Sequence, residues 1–130
     1  ALAIANAKIP NLTNAARLSL WGLDTCTRHK MLEQCPPFIN QLSKTTLSLK
    51  EKESFLWLHF KYLQKSGDRS LAYKKILSLS NRHSENLMYQ KALLSTEISF
   101  NLMSKAKSTF TRIKHQLNPK EQSQYQRKLK

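Results

Sequence analysis

From Leu12 to Leu117, apolar side chains return at every third or fourth position. They come in blocks separated by proline, glycine or runs of small polar residues. That spacing is the period of an α-helix with one buried face. The chain holds only two glycines, Gly22 and Gly67, and no valine. A sheet needs turn formers and β-branched residues, so these counts disfavour strands and the expectation is an all-α fold. At 130 residues the chain suits one domain with a core of its own.

The breakers divide the pattern into six or seven helices. Residues 1–10 read as a lead-in closed by Pro10, after which Asn11 or Thr13 caps a first helix with Leu12, Ala16, Leu20 and Leu23 inward. That helix is expected to continue to Leu32 or Cys35, where Pro36-Pro37 stops it. A second helix starts at Pro37 and turns Phe38, Ile39 and Leu42 inward. Ser48 followed by Glu51 is a capping box for the third helix, about 50–65, and Gly67 is its left-handed end. Asp68 or Ser70 opens the fourth, with Leu71, Ala72, Ile76, Leu77 and Leu79 inward, and residues 80–84 read as a loop. Ser84 caps the fifth, whose inward set is Leu87, Met88, Ala92, Leu93, Leu94, Ile98 and Leu102. A turn at 101–104 leads to the sixth, with Ala106, Phe110, Ile113 and Leu117, broken at Asn118-Pro119. Residues 120–130 read as a basic, fraying tail that forms at most a weak seventh helix.

The third to sixth helices form two hairpins offset by 34 residues. Ala72 recurs as Ala106, Ile76 as Phe110 and Leu79 as Ile113, and the Gly67-Asp68 turn falls again on Asn101-Leu102. On these positions the stretch 51–119 resembles the tetratricopeptide repeats, whose period is 34 residues. The resemblance implies antiparallel hairpins stacked into a right-handed solenoid over residues 11–119, with 19–50 as a degenerate first repeat in which Phe38 stands where Ala72 would. Three stacked pairs are about the minimum that buries every apolar face. An irregular helical bundle with short loops is the other arrangement such spacing allows. The family's general use is peptide binding. The first helix of each hairpin would line a groove, placing Trp57, Lys61 and Lys65 beside Met88 and Lys91. Such a groove suits an acidic peptide or protein face, by charge and by apolar anchoring. It lacks the asparagines of the family's carboxylate clamp.

A formal charge of +14 favours anionic partners: an acidic protein, nucleic acid or an anionic membrane surface. After Glu97 the sole carboxylate is Glu121, against Lys105, Lys107, Arg112, Lys114, Lys120, Arg127, Lys128 and Lys130. Lys107 and Lys114 share a helix face, and a stripe of this kind neutralises phosphates, so nucleic-acid binding by the C-terminal third is the alternative function. No apolar run approaches the roughly 20 residues that cross a bilayer.

Catalysis needs a positioned acid, base or nucleophile. The eight carboxylates form no inward pair, the four histidines are scattered, and no glycine-rich loop cradles phosphate. Cys26 and His29 stand one turn apart without a third orienting group. The chain reads as a non-catalytic adaptor that needs no cofactor or metal. Cys26 and Cys35 are nine apart. In one continuous helix their Cα atoms would be ~13 Å apart along the axis, whereas a disulfide needs about 7 Å or less. A bridge therefore requires the helix to break between them and an oxidising compartment; otherwise the two are ordinary buried thiols. Ala-Leu-Ala and Ala-Asn-Ala near the start fit a signal-peptidase site, so a periplasmic or secreted protein is one expectation and an alanine-rich helix start the other. Asn11-Leu12-Thr13 matches the glycosylation sequon.

Overall fold

A computed structural model describes residues 12–130, with side chains from residue 15 onward. The lead-in and Asn11, with its cap and sequon, lie outside the described residues. Seven α-helices and no strand are found among the described residues: α1 Leu12–Arg28, α2 Pro36–Lys44, α3 Leu49–Ser66, α4 Arg69–Arg82, α5 Leu87–Ser99, α6 Met103–Ile113 and α7 Pro119–Lys128. Short 3-10 turns lie at Leu32–Gln34 and Lys114–Gln116. The all-α expectation holds. The chain divides into two compact units, Ala1–Lys75 and Ile76–Lys130.

In the first unit α1 ends at Arg28, earlier than its apolar spacing suggests. Lys30 takes a left-handed φ of 58°, and the Met31 N–H donates to the Cys26 carbonyl at 2.8 Å. This reversal is the break that a bridge requires. It brings the Cα atoms of Cys26 and Cys35 to 5.8 Å, and the two are joined in a disulfide rather than standing as free thiols. Both are buried in a core with Ala16, Leu23, Leu42 and Leu47, against which Leu20, Phe38, Ile39, Phe55, Leu58 and Tyr62 pack. α2 begins at Pro36, one residue before its expected start, since a missing N–H costs nothing in a first turn.

α3 carries its capping box: Ser48 Oγ accepts from the Glu51 N–H at 3.2 Å, and Glu51 Oε1 accepts from the Ser48 N–H at 2.9 Å. Gly67, at φ 94°, ends it, and the Leu63 carbonyl accepts from the N–H groups of Gly67 and Asp68 at 3.1 and 3.0 Å. Asp68 caps α4 by accepting from the Leu71 N–H at 3.2 Å. α4 runs on to Arg82, through the stretch expected as loop.

The second unit corrects three sequence expectations. The cap of α5 is Asn86 rather than Ser84, with its side chain accepting from the Tyr89 N–H at 3.1 Å. The buried face of α5 is Tyr89, Gln90, Leu93, Leu94, Thr96 and Glu97, whereas Met88 is exposed and Ala92 half-buried. Polar groups hold inner positions there because each has a partner. Gln90 donates to the Ser80 carbonyl at 3.0 Å and accepts from Arg112 at 2.6 Å, and the Thr109 hydroxyl donates to Glu97 at 2.7 Å. Thirdly, α7 is no fraying tail. Asn118 and Glu121 form a second capping box, Gln122 donates to the carbonyls of Lys114 and Leu117, and Leu129 is buried. The core of this unit is Leu94, Ala106, Phe110, Ile113, Leu117 and Leu129, with Leu87, Ile98, Met103 and Tyr125 against it.

The 34-residue offset has a local counterpart in geometry. Asn101 takes φ 61°, as Gly67 takes 94°. The Leu102 N–H donates to the Glu97 carbonyl at 2.9 Å, as Asp68 does to Leu63. Ala72 and Ala106, Ile76 and Phe110, and Leu79 and Ile113 are all buried.

Candidate binding surfaces

Of the five groove residues, the fold brings two together in the first unit. Trp57 is half-buried on α3, its ring tilted against Phe60 at 5.5 Å between centroids. One turn on, Lys61 is exposed and holds its ammonium 5.5 Å from the Trp57 centroid, a cation–π contact. Lys65 turns elsewhere, and its ammonium donates to the Thr27 carbonyl at 3.1 Å. It shares that acceptor with the Lys30 N–H and sits at the negative end of the α1 dipole. Met88 and Lys91 belong to the second unit. Met88 is about half exposed, at 52%. Lys91 is held by Glu121 in an ion pair bridging α5 and α7. Sequence spacing does not signal that pair, because its members are 30 residues apart.

His59 stacks on Phe55 at 5.3 Å and lies 6.5 Å from the Tyr62 ring. Burial, and secondarily the charge of Lys75, lower its pKa to about 4. It is therefore a neutral packing group near pH 7. Cys26 is consumed in the bridge, so the Cys26–His29 pair offers no thiolate. Among the described residues no three His, Cys, Asp or Glu side chains gather as a metal site would need, and no helix is long and apolar enough to cross a membrane.

Carboxylates and cations are placed differently. Glu51, Asp68 and Glu121 accept from backbone N–H groups at the starts of α3, α4 and α7. Asp24 pairs with Arg28 at 3.3 Å, and Glu97 is buried against Thr109. Lys91 and Asn118 together hold the Glu121 carboxyl below the usual carboxylate range. No Lys or Arg among the described side chains is buried. Lys105, Lys107, Arg112, Lys114, Lys120, Arg127 and Lys128 all lie exposed in the second unit. Lys128 stands over the Tyr125 ring at 5.8 Å, and Arg112 also serves Gln90.

No family model, curated protein or solved structure matches the chain.

Proposed function

We propose that this protein is a non-catalytic binding scaffold whose partner is an acidic face or segment of another protein. The observation that carries it is the excess of cations at the surface. Five of the eight carboxylates are engaged in helix caps, an ion pair on one helix or a buried hydrogen bond, and Lys and Arg outnumber Asp and Glu 22 to 8 with none of the described ones buried. The field that a partner meets is therefore dominated by ammonium and guanidinium groups. On α3, Lys61 over Trp57 joins a cation to a half-buried aromatic, the pairing that anchors an acidic segment carrying an apolar side chain.

Stacked hairpins of the tetratricopeptide kind are the architecture we infer for the scaffold. The shared turn geometry at Gly67 and Asn101, and the buried Ala72/Ala106 pair, support that reading. The Cys26–Cys35 bridge supports work in an oxidising compartment, periplasmic or extracellular.

A fluorescent peptide rich in Asp and Glu, with one Leu or Phe, tests the binding surface by anisotropy at low and high salt. Lys61→Glu, at an exposed position, should weaken binding about tenfold and flatten its salt dependence. Equal affinity of Lys61→Glu and the native protein for the peptide would sink the assignment of this surface.

A further inference from the structure

The four cations borne by α6 and the residue that follows it fall into two pairs, Lys105 with Arg112 and Lys107 with Lys114. The members of each pair are seven residues apart. Seven helical residues return to within about 20° of the starting direction, ~10.5 Å along the axis. Lys114 is the first residue of the 3-10 turn that follows α6, where Ile113 takes φ −109° and ψ −6°. Around the axis, measured from buried Ala106, Lys107 stands roughly 100° to one side, with Lys114 following beyond the end of α6, and Lys105 and Arg112 stand roughly 100–120° to the other. Between the two flanks, opposite the buried face, lies a crest of Ser104, Ser108 and Thr111, all exposed. From Met103 to Gln116 there is no carboxylate.

We propose that this face of α6 seats in the major groove of duplex nucleic acid, with the crest toward the groove floor and the two basic flanks against the phosphates of opposite walls. Such a groove is about 12 Å wide and admits a single α-helix. Small hydroxylic side chains on the crest allow close approach, and cations splayed to both sides meet charge only where the anionic surface wraps around the helix. A flat anionic membrane meets the crest first, and that crest has neither a cation nor an apolar anchor. An extended acidic peptide engages one flank and leaves the other idle. Arg112 contributes although one donor is given to Gln90, since its guanidinium carries five. Lys120 and Arg127, exposed and seven apart on α7, add cations to the same unit. Glu121, the sole carboxylate after Glu97, is held by Lys91. The inference rests on the second unit and does not depend on the scaffold reading, whose Trp57–Lys61 surface is in the first.

The test is anisotropy of the full chain with a labelled DNA duplex of about two helical turns, titrated at several salt concentrations. Four phosphate contacts give a slope of log K against log salt near −3.6, about a hundredfold loss between 50 and 200 mM. Lys105→Gln and Lys107→Gln, one on each flank, should each reduce that slope by about one, and Ser108→Trp on the crest should weaken binding while keeping the helical signal in circular dichroism. A slope near zero, a slope unmoved by either flank variant, or full affinity in Ser108→Trp would overturn the proposal. So would displacement of the duplex by polyglutamate or by phosphatidylglycerol vesicles at matched charge, which would reassign the surface to acidic protein or to membrane.

Discussion

The ring of Phe38 fills the space that a side chain on Gly22 would need: a Cβ built there falls 2.4 Å from the Phe38 ring. The residue whose absence of side chain would ordinarily weaken α1 is what admits an aromatic from α2.

Gly22→Ala should therefore destabilise the protein, although alanine is the better helix former by ~1 kcal/mol. Overpacking costs about 1–3 kcal/mol, so the net loss is on the order of 1 kcal/mol. With Phe38→Leu in the background the sign should reverse, because the leucine leaves room for the methyl. Urea denaturation of the two single variants and the double variant measures the coupling, and independent, additive effects would contradict the contact.

The Cys26–Cys35 bridge closes a short loop across the end of α1. In the chain-entropy model a loop of about ten residues is worth ~2–3 kcal/mol. The paired Cys26→Ser, Cys35→Ser variant should lose stability of that order, measured by chemical denaturation, and the native protein should lose the same amount on full reduction. Because both cysteines are joined in the bridge, alkylation of the oxidised protein should find no thiol even in denaturant. One or two reactive thiols under those conditions would contradict the bridge.

The elements of this fold are legible in the sequence wherever a local rule suffices. Ser48 with Glu51, Gly67, and Asp68 are short-range devices, and the structure uses each as its sequence suggests. Relations set by distant partners are not legible in this way. The apolar spacing of α1 continues past Arg28 and overstates its length, while the break itself, a left-handed Lys30, has no marker in the sequence. The inner face of α5 is hidden because Gln90 and Glu97 look like solvent residues until Arg112 and Thr109 are seen beside them. The last helix looks weak for the same reason, since its hold depends on Leu129 and on Glu121 reaching Lys91. Of the binding surfaces, the basic character is evident from residue types. The diversion of Lys65 and Lys91 to structural contacts is not.

Stability should also respond to His59. Its pKa is about 6.5 in the unfolded chain and about 4 in the folded one, lowered first by burial and then by Lys75. Above 6.5 both states are neutral there and the contribution is constant. Between 6.5 and about 4 the unfolded chain takes up a proton that the folded chain refuses, so stability falls as pH falls. His59→Phe, which keeps an aromatic against Phe55, should flatten that part of the profile. The measurement is the urea midpoint from about pH 7.5 to about 4.5, and identical profiles for the two proteins would refute the assignment.

A second acid-sensitive contact acts lower on the scale and reports on α7. The Glu121 pKa lies below 4.5, first through its hydrogen bond with Lys91 and then through the Asn118 N–H. Its contribution is complete above 4.5 and is lost as pH drops further, because the unfolded chain protonates first. Glu121→Gln keeps an acceptor for the capping box but removes the charge that Lys91 needs. That variant should lack the drop below pH 4.5, and at pH 7 its α7 amides should exchange with solvent faster than in the native protein, while those of α1 do not change. Uniform exchange across α1 and α7 in both proteins would mean that the Lys91–Glu121 pair does not hold the last helix in place.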